Sequence, residues 1–277
     1  MMLDFGFYNM DCMKGMAEFP DAFFDLAIVD PPYGINITGR SMGAGGGGGT
    51  APQPKRKEFE GGVQRRAIGG ANPFGGKKKL KQDHGQAVLM KTMVGGGSAT
   101  GKGLTQPKLY KPFDDSQIPD ASYFKELKRV AKHFVIWGGN YFLDHLHATE
   151  CMIVWDKGRR GMNFADCEIA WTNIKQPCRI FEWKWNGMLQ EDMKHKEYRI
   201  HPTQKPVALY KWLLEKYAKQ DYKILDTHVG SASSLVACRE LGIKYVGFEI
   251  DPDYYAEAKK RLDAAEAQSN IFDFLEK

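Results

Sequence analysis

No stretch of this 277-residue chain approaches the roughly 20 consecutive apolar residues that a membrane-spanning helix needs. Its opening, Met-Met-Leu-Asp-Phe-Gly-Phe, lacks a basic region ahead of an apolar segment and does not read as a secretory signal. The five cysteines (Cys12, Cys151, Cys167, Cys178 and Cys238) include no Cys-x-x-Cys pair. That argues against a zinc site and against a disulfide framework; they read as reduced, mostly buried thiols of a cytosolic protein. His145 and His147 would diverge on a helix and are read as part of a surface helix, not as metal ligands. Internal repeats are absent, and the turn at 227–232 lacks the Gly-x-Gly-x-x-Gly spacing and the Gly-Lys-Ser/Thr of diphosphate-binding turns. What remains is a chain that is 43% hydrophobic, enough for a substantial core in one large α/β domain or two small ones.

The most informative segment is Leu26-Ala27-Ile28-Val29 followed by Asp30-Pro31-Pro32-Tyr33-Gly34. A buried strand here delivers an acid, two prolines and an aromatic ring to one point. Each proline fixes its own φ and removes a backbone donor, and the residues before them, Asp30 and Pro31, are pushed toward extended conformations. The result is a stiff rim of acceptors, the Asp30 carboxylate and the Pro31 carbonyl, with Tyr33 as a stacking plate. Such a rim suits a planar ring that carries an exocyclic amine. Taken alone, the same five residues also fit an ordinary turn after a strand.

A second constellation lies near the C-terminus. Ile224-Leu225-Asp226 reads as a strand, Thr227-His228-Val229-Gly230-Ser231-Ala232 as a small-residue turn, and Ser233 onward as a helix. About twenty residues later the next strand ends in Glu249 and Asp251. This layout suits a nucleoside without a diphosphate: the turn admits a ligand close to the backbone and the acid accepts from ribose hydroxyls. The turn alone is equally well explained as a tight strand-to-helix connection.

Strands are expected at 5–9, 24–29, 133–137, 151–155, 223–226 and 244–249, with 167–172 and 178–183 as a strand pair near the sheet edge. Helices are expected at 121–132, 141–147, 206–219, 233–241 and 252–267, with Pro206 in a first turn. Alternation of this kind predicts a doubly wound, mostly parallel sheet. Between these elements lies a Gly-rich, basic insert at 39–112, with clusters Lys55-Arg56-Lys57, Arg65-Arg66 and Lys77-Lys78-Lys79. The net charge of +5 is modest, but in this insert basic residues far outnumber acids, which points to a polyanion. The insert is either a DNA-engaging loop or a mobile, solvated linker.

Taken in chain order, several pieces resemble the amino-group DNA methyltransferases that use S-adenosylmethionine, in the permuted beta-class order with the catalytic motif first and the cofactor motif last. They are Asp11-Cys12, Phe19-Pro20-Asp21, Asp30-Pro31-Pro32-Tyr33-Gly34, Trp137-Gly138-Gly139-Asn140-Tyr141-Phe142, Val154-Trp155-Asp156-Lys157, Glu168-Ile169-Ala170-Trp171 and His201-Pro202-Thr203-Gln204-Lys205-Pro206. The resemblance implies a Rossmann-like class I methyltransferase fold in one domain over 1–277, a DNA substrate, S-adenosyl-L-methionine as cofactor, no metal and no membrane. It is compatible with a homodimer and with a bacterial or phage-like cytoplasm. Asp30, Pro31, Pro32 and Tyr33 would hold the target base. Asp226 and Gly230 would line the methionine end of the cofactor, with His228 and Ser231 in the same turn. Glu249 would bind the ribose, with Asp251 beside it, and Asp11 would accept from the adenine amine. Thr203, Gln204 and Lys205 would help close the cofactor site. Asp in place of Ser before Pro-Pro-Tyr favours the N6 amine of adenine over the N4 amine of cytosine. The family pattern at the cofactor turn is Asp-Pro-Phe-x-Gly-Ser-Gly-Thr-Thr, and the chain departs from it at Thr227, His228, Ala232 and Ser233. These departures leave open a non-enzymatic DNA-binding relative with a decayed cofactor site. Methylation of cytosine, or of an RNA base or protein glutamine, also stays open.

Overall fold

The structure, a computed structural model, describes residues 2–35, 115–158, 160, 165–186 and 189–275. The 39–112 insert lies outside the described residues.

Strand β2 (Phe24–Val29) shows how the sheet is assembled. Its side chains alternate between two cores: Ala27 and Val29 face one, Leu26 and Ile28 the other. A strand covered on both faces needs apolar residues at nearly every position, which Leu26 to Val29 supply. Complete burial of each such leucine, isoleucine or valine side chain contributes roughly 1.5–3 kcal/mol. Parallel to β2 run β3 (Ala131–Trp137) on one side and β9 (Lys223–Asp226) on the other. Next to β9 come β10 (Lys244–Glu249) and then β1 (Gly6–Asn9), both parallel. Beyond β3 the sheet becomes mixed. β5 (Cys167–Thr172) is antiparallel to both β3 and β4 (Met152–Asp156), and β6 (Arg179–Glu182) lies parallel to β4. The eight strands are ordered β1-β10-β9-β2-β3-β5-β4-β6, and a separate antiparallel pair joins β7 (Trp185–Asn186) to β8 (Leu189–Gln190).

Helices cover both faces. α1 (Cys12–Ala17) and α2 (Ala121–Val130) pack on the first core, and α3 (Val207–Tyr217) and α4 (Ser233–Glu240) on the second. α5 (Pro252–Leu275) closes a third cluster through Ala258 and Leu262 against α4. α2 buries Tyr123, Phe124, Leu127 and Val130, one stripe of the helix. The Asp120 carboxylate caps its first turn by accepting from the amides of Ser122 and Tyr123. The doubly wound, mostly parallel sheet expected from the sequence is therefore present. Among the described residues no helix is long and apolar enough to cross a membrane.

Several local expectations need correction. No helix forms over 141–147. A single 3-10 turn, Gly139–Tyr141, follows β3, and the chain then turns again. The backbone bonds here are i to i−3 turns, Phe142 N to Gly139 O (3.2 Å) and His145 N to Phe142 O (2.9 Å), and side chains of other elements take the later carbonyls: Lys128 Nζ donates to His145 O (2.9 Å) and Trp171 Nε1 to His147 O (2.8 Å). His145 is thus not on a surface helix; its ring stacks on Phe124 at 4.8 Å. The segments 167–172 and 178–183 do not pair with each other, because β4 lies between them. Pro206 is the residue capping α3, not its first turn, and the final helix runs to Leu275. Helix α1, too short to carry a periodic signal, is not visible in the sequence pattern.

Candidate functional site

Three neighbouring parallel strands end in acids at one edge of the sheet. Register places Ile28 of β2, Asp226 of β9 and Gly247 of β10 at one level, so Asp30 and Glu249 both lie two residues beyond it. With strands about 4.8 Å apart, Asp30 and Glu249 are separated by roughly 10 Å along this edge, with Asp226 between them. The two sequence constellations, almost 200 residues apart in the chain, thus share one rim.

At the first constellation the Asp30 carboxylate has two partners. The Tyr33 hydroxyl donates to Oδ1 and the Lys205 ammonium to Oδ2. Lys205 Nζ also lies 3.2 Å from the Tyr33 hydroxyl and 3.1 Å from Glu168 Oε2, and Lys157 pairs with Glu168 Oε1. Burial and the carboxylates of Asp30 and Glu168 push the Tyr33 phenol well above its ordinary pKa, so it remains a donor. The Tyr33 ring is not an open plate. It stacks on Tyr141 with centroids 5.0 Å apart and planes 14° from parallel, which leaves no space for a base between the two rings. It also lies against Gly138, where a Cβ would meet the ring at 2.2 Å, so only glycine fits. The exposed ring of the pair is Tyr141.

At the second constellation Asp226 is buried and accepts from the Ser234 hydroxyl and, at 3.0 Å, from the His228 amide. Burial pushes its pKa up to about 7 against the pull of these donors, and the nearby carboxylates of Asp30 and Glu249 add to the rise. Glu249 accepts from the amide of Gly230 (2.8 Å) and from that of Asp251 (2.9 Å), and burial raises it as well. Ala232 takes the left-handed conformation, φ +60°, immediately before α4. His201 packs about 4 Å from the position a Gly230 Cβ would occupy, and Ser233 Oγ donates to the Lys205 carbonyl at 2.7 Å. The 201–205 loop therefore lies against the turn.

Within the loop the side chains have these partners. Gln204 is buried and spent on the backbone: its Oε1 accepts from Ile200 N (2.9 Å) and its Nε2 donates toward Tyr198 O (3.4 Å). Thr203 Oγ1 bonds His201 Nδ1 at 3.0 Å. Lys205 points to Asp30 and not to the cofactor turn. Asp11 caps α1, accepting from Met13 N (2.8 Å) and Lys14 N (3.3 Å), and Asp251 caps α5 through Asp253 N (2.9 Å) and Tyr254 N (3.2 Å). Sequence reasoning assigned no role to Glu168 or Lys157. Their contact depends on the antiparallel register of β4 with β5, which no local pattern reports.

Residues 170–260 match the family model described as DNA methylase. This span contains Lys205, Asp226 and Glu249, which the geometry joins to Asp30. Over that span, about a third of its length, the chain is similar to this family. It is 24% identical to the protein YubD of Escherichia coli K12 over 94% of this chain and 91% of that one. It is 34% identical to the type II methyltransferase M.HpaI of Haemophilus parainfluenzae over 82 residues, 30% of this chain and 25% of that enzyme's length. Among solved structures, TTHA0409 of Thermus thermophilus complexed with S-adenosyl-L-methionine overlays with a TM-score of 0.46 and 14% identity, over 94% of this chain and 95% of that one.

At the positions where the 226–234 turn departs from the methyltransferase pattern, the substitutes bond one another and a neighbouring helix. Thr227 Oγ1 bonds the Tyr123 hydroxyl (2.7 Å) and His228 Nδ1 (2.9 Å), linking the turn to α2. Burial holds the His228 imidazole down to about 4, so it is neutral near pH 7.

Proposed function

We propose that this protein transfers a methyl group from S-adenosyl-L-methionine to the N6 amine of adenine in DNA. The observation that carries the reading is the convergence of Asp30 with Asp226 and Glu249 on adjacent parallel strands. The cofactor fits the acidic half of the rim. Asp226 and Glu249 are acceptors for amine and hydroxyl donors, and the Gly230-Ser231-Ala232 turn carries only small side chains. Asp11 is a further acceptor at the head of α1. When bound there, S-adenosyl-L-methionine supplies an electrophilic methyl group on a good leaving group, so no metal is required.

The protein's part is alignment and charge. The amino nitrogen of adenine is a poor nucleophile because its lone pair is delocalised into the ring. Acceptance of its hydrogens by the Asp30 carboxylate and the Pro31 carbonyl favours a pyramidal nitrogen and aims the lone pair. The negative charge of Asp30 stabilises the nitrogen as it becomes cationic. The base must leave the duplex to be reached. Because Tyr33 is already stacked, the exposed Tyr141 ring is the surface such a base meets first, and stacking there returns roughly 1–3 kcal/mol. The carboxylate of Asp30, in place of a hydroxyl, supports adenine as the target.

The test is to incubate the protein with labelled cofactor and mixed-sequence DNA, digest, and identify the modified nucleoside by mass spectrometry. N6-methyladenine is the expected product. N4-methylcytosine would replace adenine with cytosine in this reading, and an unmodified digest would remove DNA methylation from it.

A further inference from the structure

The charges behind Asp30 form an ordered set that amine recognition alone does not require. Lys157, Glu168, Lys205 and Asp30 alternate in sign and come from four separate parts of the chain. The Lys205 side chain is 3% exposed and its ammonium lies 5.4 Å from the Trp137 ring centroid. A lysine so placed is costly unless its charge is matched on more than one side. Here it is matched by Asp30 and Glu168, and Lys157 in turn matches Glu168.

We propose that Lys205, held in place by Glu168, is a positioning residue for methyl transfer: it fixes the rotation of the Asp30 carboxylate. The inference rests on the methyltransferase reading above and gives Lys205 a task at the amine side of the site. With Tyr33 holding Oδ1 and Lys205 holding Oδ2, the carboxylate plane has one orientation in which to meet the amine. Glu168 offsets the Lys205 charge, so Asp30 still presents negative charge to a nitrogen becoming cationic.

The set anchors charge and does not pass protons. Burial works against the ionised form of Glu168, but the Lys205 and Lys157 cations hold its pKa down to about 2. Burial also opposes the Lys205 cation, yet the Asp30 and Glu168 carboxylates lift its pKa above the ordinary lysine value. Neither group exchanges a proton near neutral pH. The other titratable groups that feel the Asp30 charge are Asp226 of β9, Tyr123 of α2 and Tyr210 of α3, besides Tyr33 itself.

The test compares the full chain with Lys205→Met and Glu168→Gln. The readouts are single-turnover methyl transfer to duplex DNA, cofactor affinity by calorimetry, and the rotation of the Asp30 carboxylate in the crystal structure of each chain. Lys205→Met is expected to slow transfer roughly a hundredfold, the scale of a misplaced catalytic group, while cofactor affinity stays within about twofold. In its crystal structure the Asp30 carboxylate should be rotated away from its orientation in the parent. Glu168→Gln should move the same quantities in the same direction by less, and it serves if the lysine variant does not fold. An unrotated Asp30 carboxylate overturns the inference, as does a parallel fall in rate and cofactor affinity. If the parent chain transfers no methyl group to DNA, the functional reading fails by itself, and the crystal structures still decide whether Lys205 fixes the Asp30 carboxylate.

Discussion

At the scale of single residues, two side chains carry most of the consequence. In the proposed reaction Asp30 accepts from the target amine, and removing its charge while keeping its shape isolates that role. Asp30→Asn is expected to reduce methyl transfer by a factor of roughly 10²–10⁴, the range for losing a charge-stabilising or proton-handling group. Calorimetry with S-adenosyl-L-methionine should show cofactor binding little changed; full turnover by this variant would take Asp30 out of the chemistry. Ala232 is a different case. It occupies the left-handed region at φ +60°, where a Cβ is crowded by the following carbonyl at a cost of about 1–2 kcal/mol. Glycine avoids that crowding but loses more chain entropy on folding. Ala232→Gly is therefore expected to stabilise the fold by about 1 kcal/mol, read as a raised midpoint in urea at unchanged slope. A lowered midpoint would mean that the buried Ala232 methyl contributes more by packing than its backbone loses.

At the scale of elements, close packing of α1 on β10 gives the clearest expectation. A Cβ at Gly15 would come within 2.3 Å of the fully buried Phe248 ring. Alanine is the better helix former by about 1 kcal/mol, but overpacking a full core costs typically 1–3 kcal/mol. Gly15→Ala should therefore destabilise the protein in chemical denaturation, and a gain would show that α1 can lift off the sheet at no cost. The same contrast between local and distant information explains what the sequence disclosed. Strands β2, β9 and β10 were legible because double burial writes an apolar run, and β9 and β10 match their expected limits residue for residue. The acid at the end of each was legible for the same reason. Helix α1 was not, because six residues make too short a period. The 141–147 segment reads as helical but folds as successive turns, held to α2 and β5 by Lys128 and Trp171, distant in sequence. The contact of the Lys205 ammonium with Asp30 was not legible, since it is fixed by the order of strands in the sheet and not by neighbours in the chain.

At the scale of the whole molecule, the rim concentrates acids, and stability should register it. An acid whose pKa is higher in the folded state than in the unfolded chain binds its proton more tightly when folded. Its contribution favours folding at low pH and is lost as pH climbs. For Asp226, which moves from 3.8 to about 7, the loss falls across that interval. The buried His201 and His228, both held down to about 4, act in the opposite sense and add stability as pH rises from about 4 toward 6.5. Asp226→Asn removes one of the falling contributions, so the variant's unfolding free energy should rise more steeply than the parent's between pH 4 and 7; parallel profiles would contradict the raised pKa. The basic insert has a consequence of the same scale. A Cβ at Gly34 would lie 3.0 Å from Ile118, so the chain leaves and rejoins the described structure at one point, close to the Asp30 rim. Deleting residues 45–100 should lower DNA affinity and flatten its dependence on salt concentration; an unchanged slope would make the segment a passive connection. Finally, β2 takes its place beside β9, whose first residue, Lys223, is made long after Val29. At roughly 5–20 residues per second the ribosome needs about 10–40 s to produce that partner. For that time the apolar strand ahead of Asp30 waits without one flank, so chaperone demand in this protein should peak during synthesis, before the last third of the chain has emerged.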